Sequence, residues 1–261
     1  MIFGGEGADL LTGGEGNDEM YGQAAIDTLY GQNGDDLLDG GDDNDKVSGK
    51  AGNDHIRGGN GDDKLTASNG DDIVEGGAGN DRLYGENDND TMDGGTGDDY
   101  LSGSYGNDDL MGGDGNDEIN GSTGQDQIWG GIGNDVIDAG PDTDAVWGGD
   151  GADSIKGGAG NDYLYCEAGN DVILGGDGND YAEGGDGDDV IGTSTYNATY
   201  LSVVISAGTT LRGTDPFGIP TGNFEPGTDT LLGGPGADIV VGGSGDDYID
   251  DVDVDLSRLL R

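Results

Sequence analysis

The sequence predicts an all-β chain: a solenoid of short parallel strands, 18 residues to a coil, with two narrow sheets facing each other. Three observations carry that prediction. A nine-residue period runs without a slip from Gly4 to Gly192, which makes 21 units. The eighth place of each unit is aliphatic, from Leu11, Met20 and Leu29 onward to Ile191, with one weak place at Ala182. The sixth place is aspartate in every unit, while glycine, asparagine and aspartate crowd the first five. A fixed period with a recurring apolar place marks a chain built from stacked identical units.

The turn comes first in each unit. Glycine fills the fourth place in 17 of the 21 units, and asparagine or aspartate the fifth in 16. These residue types accept left-handed or otherwise strained backbone. Six of them in a row, at places one to six, predict a turn whose carbonyls point inward. The remaining triplet is a minimal strand, its middle aliphatic facing one way and its neighbours the other. Two turns and two triplets complete one coil. Stacked coils then set aliphatic above aliphatic in a narrow core, and with strands about 4.8 Å apart twelve coils span roughly 55–60 Å.

The array divides the chain. Residues 4–192 hold the 21 units, and residues 193–223 break the pattern for 31 residues. Within that insertion TYLSVVIS has strand propensity and DPFGIPTGN reads as turns. It is either a side excursion or an irregular coil, with apolar residues suited to covering Val172, Leu174 and Val190. Three further units run over 224–250, with Asp229, Asp238 and Asp247 in register. The tail, 251–261, is acidic, then apolar, then basic. It reads either as a cap, which repeat arrays need, or as a C-terminal export signal. Its D-x-D-x-D spacing is not an EF-hand, because Leu256 stands where that loop needs glycine.

Composition says that burial alone does not hold this fold. Of 261 residues only 31% are hydrophobic, and 56 acids against 9 Lys+Arg give a net charge of −47. Such chains do not offset their ordering entropy without help. The one cysteine, Cys166, excludes an intrachain disulfide. The charge makes nucleic acid and anionic membranes poor partners, and no apolar run is long enough to insert in a bilayer. MIFGGEGADLL has no basic start and no long apolar stretch, so no cleaved secretory signal is expected. A cytosolic protein, a fragment, or export by a route that ignores the N-terminus remains.

The missing stabilisation is expected from a cation. Stacking sets the turns of units two apart above each other, each offering a carboxylate and several carbonyls to the same gap. Six to eight hard oxygens in a flexible loop suit Ca²⁺, whereas Mg²⁺ demands tighter octahedral geometry.

The consensus G-G-x-G-[ND]-D-x-U-x, with U a large aliphatic, resembles the RTX (repeats-in-toxin, hemolysin-type) calcium-binding nonapeptide. The resemblance covers 24 in-frame units, 216 of the 261 residues. It implies a parallel β-roll, a right-handed β-solenoid, with calcium as cofactor and type I secretion to the cell exterior. It also implies a ligand set: carbonyls at places one, two and four and the aspartate at place six. These aspartates are Asp9, Asp18, Asp27, Asp36, Asp45, Asp54, Asp63, Asp72, Asp81, Asp90, Asp99 and Asp108 in the first half of the array. Asp117, Asp126, Asp135, Asp144, Asp153, Asp162, Asp171, Asp180 and Asp189 follow, and then Asp229, Asp238 and Asp247. On that pattern Gly113, Gly115 and Asp117 face Gly130, Gly131, Gly133 and Asp135 across one gap.

Counting gaps tests the charge balance. The 11 odd turns leave 10 gaps, the 10 even turns leave 9, and units 22 and 24 leave one more. About 20 ions bring about +40 against −47, so the ligand set cancels most of its own repulsion. Metal binding and folding are then expected to be coupled. Ala25, Asp43, Asp88 and Asp142 replace the fourth-place glycine and Pro141 sits inside a turn, so weaker sites are expected there.

Places seven and nine point outward, and residues 18 apart form ladders. Trp129, Trp147 and Tyr165 make one at place nine, and Tyr163 and Tyr181 a second at place seven of the same face. Such a stripe suits stacking on sugar rings, as in polysaccharide-binding RTX modules, or packing under the insertion. On the other face Lys46, Lys64 and Arg82 stack, either to grip an anionic glycan or to balance the carboxylates around them. An ice-binding array is disfavoured, since place three is threonine only at Thr96 and Thr123.

No catalytic constellation is found. His55 is the only histidine and no G-x-S-x-G occurs, which excludes zincin motifs and the nucleophile elbow. His55 reads as a solvated surface residue. The expected function is a secreted, calcium-dependent structural or folding module without enzymatic activity, free-standing or joined to an effector domain in a longer protein. The runner-up is a calcium-dependent extracellular polysaccharide-binding or adhesin module.

Overall fold

The computed structural model describes residues 1–192, 230–232, 239–241 and 248–250. Among them are 25 strands, β1 (Ile2–Glu6) to β25 (Tyr248–Asp250), and no helix. Odd-numbered strands form one 13-stranded sheet and even-numbered strands a second of 12, every pairing parallel and two strands apart in sequence. The register is 18 residues throughout, as in Gln127↔Ala145, Ile128↔Val146 and Trp129↔Trp147. This is the parallel solenoid that the period requires.

The core is the eighth place and little else. All 21 eighth-place residues from Leu11 to Ile191 are buried, Leu11 being the most exposed at 9%. Only Ala67, Ala139 and Cys166, which stand where other units have a first-place glycine, join them in the core. One aliphatic in nine residues gives two narrow stacks. Such a core is continuous along the rod yet thin across it.

The strands are longer than the triplets that seed them. A typical strand, such as β2 (Leu10–Glu15), runs six residues, because the ladder continues from places seven, eight and nine into places two and three of the next unit. Pro141 cuts the ladder short on one side of its strand. It has no N–H to donate, and the pairing of β14 (Glu118–Thr123) with β16 (Val136–Pro141) stops at Asn120↔Asp138.

The two sheets resume beyond the insertion. β23 (Thr230–Leu232) pairs with β21 (Tyr181–Glu183), and β24 (Ile239–Val241) with β22 (Val190–Gly192). Leu231, Val240 and Ile249 keep the eighth-place register. The insertion, the tail, and Asp229, Asp238 and Asp247 lie outside the described residues. Val172, Leu174 and Val190, for which the insertion is the expected cover, are half-buried.

Candidate metal centre

Each turn uses its residues for different physical reasons. Places two and four carry positive φ, for example +113° at Gly131 and +139° at Gly133. Ala25, Asp43, Asp88 and Asp142 adopt the same left-handed backbone, with φ of 80°, 74°, 72° and 83°, so these turns keep their shape without glycine. Place one is different, because its backbone is not left-handed. A Cβ on Gly76 would lie 2.5 Å from the Gly94 carbonyl oxygen and 2.6 Å from Asp81 Oδ2. First-place glycine therefore keeps open the space in which a carboxylate oxygen and the next coil's carbonyl converge.

Asparagine and aspartate at place five are not left-handed either. They form ladders along the rod: Asp35 N–H donates to Asn17 Oδ1 at 3.0 Å, Asn53 N–H to Asp35 Oδ1 at 3.0 Å, and Asn134 N–H to Asn116 Oδ1 at 3.0 Å. The signal for these ladders was present in the sequence as the recurring fifth-place Asx, but it also fits a backbone preference.

The sixth-place aspartates are the centre of the site. From Asp27 to Asp189 they are at most 3% exposed, while Asp9 and Asp18, in the first coil, are half-buried. One oxygen of each is engaged by the preceding coil: Asp99 N–H donates to Asp117 Oδ1 at 2.8 Å, and Asp117 N–H to Asp135 Oδ1 at 2.8 Å. The other oxygen, Oδ2, is buried and has no hydrogen-bond partner in any of the seventeen from Asp27 to Asp171. Isolated buried carboxylates are costly, and two rows, nine in one stack of turns and eight in the other, at regular spacing call for a cation.

The gap between the turns of Asp117 and Asp135 shows what surrounds that oxygen. A Cβ on Gly112 would lie against Asp117 Oδ2 and 2.6 Å from the Gly130 carbonyl. The carbonyls of Gly113 and Gly115 point into the same gap, against Gly131 and Gly133. Thus Asp117, Gly113, Gly115, Gly130 and Asp135 come together there. The carbonyls of Gly131 and Gly133 instead point into the following gap, against Gly149 and Gly151. This corrects the expected grouping, which placed all of these in one gap: place-two and place-four carbonyls point toward the following coil and place-one carbonyls toward the preceding one. Bonds between turns end on place-three and place-six carbonyls almost throughout, as in Gly115 N–H to Ile132 O at 2.7 Å, and none ends on place one or four.

The donor set is hard oxygen, mostly carbonyl, with few charges per site, which suits Ca²⁺. Among the described residues no three His, Cys, Asp or Glu side chains cluster in a metal-holding geometry. The fit therefore rests on the orphan carboxylate oxygens and the carbonyls beside them.

Electrostatics report the same strain. Burial, opposed by the backbone hydrogen bond and reinforced by neighbouring carboxylates, pushes Asp90 and Asp144 up to about 8. Burial likewise raises Asp54, Asp63, Asp99, Asp126, Asp135, Asp162 and Asp171 to about 7. Asp45, Asp72, Asp81, Asp108 and Asp117 reach about 6 for the same leading reason. Without a cation, the folded rod favours the protonated form of these groups more than the unfolded chain does.

The outer faces are also ordered. Trp129 and Trp147 stack at 5.1 Å with 6° between planes, and Trp147 and Tyr165 at 6.0 Å and 10°. Tyr163 and Tyr181 are strand neighbours, but Tyr181 tilts across to Tyr165, ring centroids 5.4 Å apart, and the stripe gains a fourth ring. A shallow depression of about 200 Å³ beside it is lined by Trp147, Tyr165, Glu167, Glu183 and Gly185. His55 is not simply solvated: its Nε2 lies 3.2 Å from Glu75 Oε1, and Arg57 donates to the same carboxylate at 2.7 Å. Lys46, Lys64 and Arg82 share a register. None of them is in an ion pair, so any charge balance they supply is not pairwise.

No curated protein matches this chain. A family model does: the RTX calcium-binding nonapeptide repeat matches in twelve stretches, eleven that overlap to cover residues 1–192 without a gap and one over 225–250. The stretches over 1–192 contain the turns of Asp27 to Asp171, whose Oδ2 atoms lack a partner. The period, the coil and the matched repeats agree, and the chain belongs to the RTX calcium-binding nonapeptide-repeat family.

Proposed function

We propose that this chain is a calcium-dependent structural module that folds as it binds about 20 Ca²⁺ ions, working outside the cell after type I export and without catalysis. The observation that carries the reading is the two rows of buried Oδ2 atoms without partners. A charge stack of this density does not stay compact in water, and a divalent ion in each gap offsets it. Ion binding then supplies the folding free energy that a one-residue-wide core does not. Sites of the weak, extracellular type stay empty at cytosolic calcium levels and fill outside the cell. The array 4–192, the insertion 193–223, the units of 224–250 and the tail 251–261 are proposed as its segments.

The test is stoichiometry. Protein equilibrated in millimolar calcium, then measured for bound metal by atomic emission, is expected to hold about 20 ions per chain. Fewer than about five, the complement of a few isolated sites rather than of a filled array, contradicts the proposal.

A second reading, a calcium-dependent polysaccharide-binding module, is favoured by the stacked Trp129, Trp147 and Tyr165 rings. All three are half-buried and turn their faces toward one another along the stack, so a sugar ring would meet their edges.

A further inference from the structure

Acids recur on the outward places of much of the rod, and the longest run of neighbouring strands without them lies in the even sheet. On β4 (Thr28–Asn33), β6 (Lys46–Ala51), β8 (Lys64–Asn69), β10 (Arg82–Asn87) and β12 (Tyr100–Tyr105), neighbours in the even sheet, the outward places seven and nine hold no acid at all. They hold Lys46, Lys64 and Arg82, the tyrosines Tyr30, Tyr84 and Tyr100, and otherwise serine and threonine. Over the same stretch of the odd sheet the corresponding places carry Asp39, Glu75, Asp93 and Asp109. In a chain with 56 acids and 9 Lys+Arg, three cations in consecutive register is a segregation of charge.

The three cations are exposed and free of ion pairs. Lys64 Nζ sits 5.0 Å from the Tyr84 ring centroid, and Tyr84 and Tyr100 lie 5.7 Å apart, tilted by 47°. Glu86 is the only acid on the adjoining arms of these five strands, where Lys50 adds a fourth cation.

We propose that this face binds a linear anionic polysaccharide, a polyuronate, laid along the rod axis. It lies on the sheet opposite the aromatic stripe and is a separate surface. It rests on the calcium-folded rod proposed above. Cations repeat here at the strand spacing of about 4.8 Å, close to the length of one pyranose in an extended chain, so a uronate chain laid along the rod keeps carboxylates within reach of the cation run. Tyr84 beside Arg82, and Tyr30 and Tyr100 on the strands that flank the run, offer flat apolar surface to sugar faces. The face is one triplet wide and bordered by acidic turns. A narrow glycan fits between those borders, whereas a nucleic-acid duplex or a membrane surface is broad enough to overlap them and be repelled.

The experiment measures binding of a galacturonate octamer to the full chain in calcium by isothermal titration. Maltooctaose, a single-stranded oligothymidine and anionic phosphatidylserine vesicles are run beside it. The parent is expected to bind the uronate octamer, and the Lys46→Gln, Lys64→Gln, Arg82→Gln variant to bind it about tenfold more weakly, three exposed charge contacts being lost. Circular dichroism of both proteins across the same calcium series separates the outcomes. A variant with the parent's calcium midpoint but weaker uronate binding supports the proposal. Equal binding by both proteins, no binding by a fully folded parent, or equally tight binding of maltooctaose, oligothymidine or vesicles overturns it. A parent that does not respond to calcium overturns the folding reading instead.

Discussion

Replacing Asp99, Asp117 and Asp135 together by asparagine is expected to move stability in opposite directions with and without calcium. The three sit in one stack, 18 residues apart, each accepting an N–H from the coil before it at 2.7–2.8 Å. Asparagine keeps that acceptor and replaces the orphan Oδ2 with an amide that donates to a neighbouring carbonyl. In chelator the variant loses three buried charges whose folded state already resists ionisation, so it is expected to retain more β-structure than the parent. In calcium it loses ligand charge at the gaps these residues serve, and ligand charge sets affinity in such sites. The calcium midpoint for those coils is expected to rise by about tenfold. Circular dichroism in calcium series of both proteins checks it. A variant destabilised under both conditions contradicts the account, because it makes these carboxylates structural for a reason other than the ion.

Acid is expected to stabilise the calcium-free rod and to weaken the calcium-bound one. In the folded state without an ion, burial holds Asp90 and Asp144 at about 8 and Asp54, Asp63 and Asp126 at about 7, against an ordinary value of 3.8. A raised folded value favours the protonated form in the fold. Its contribution is fully present below about pH 4 and is lost as pH rises through the interval from 6 to 8 where these groups sit. In chelator, β-structure is therefore expected to increase as pH falls from 8 toward 5. With calcium the sign reverses, because protons and the ion compete for the same oxygens. A carboxyl near 7 loses about nine-tenths of its ionised fraction between pH 8 and pH 6, so the calcium midpoint is expected to rise about tenfold over that interval. A midpoint independent of pH contradicts the assignment of these aspartates as ligands.

Much of the fold was legible because two features repeat without error. The eighth-place aliphatic fixed the core, and the register of 18 follows from two units per coil. The aspartate of every sixth place marked the buried carboxylates before any geometry was known. What the sequence concealed is why each glycine stands where it does. Places one, two and four all read as backbone freedom, yet only two and four are left-handed, while Gly76 and its equivalents are glycine to leave room for oxygen atoms. A composition-level preference does not separate those reasons. The direction of the Gly131 and Gly133 carbonyls was likewise invisible, since it depends on the backbone conformation at each place: place one faces the preceding coil, places two and four the following one. The lean of Tyr181 onto Tyr165 depends on rotamers, which no period encodes.

The central claim is that calcium and the fold arrive together, and far-UV circular dichroism of the full chain tests it most directly. In excess chelator at neutral pH the account predicts a spectrum without β-signal. Added calcium then restores it reversibly, and magnesium at the same concentration does not. A full β-spectrum that persists in excess chelator contradicts the account, because the rod then holds its stacked carboxylates together without the ion.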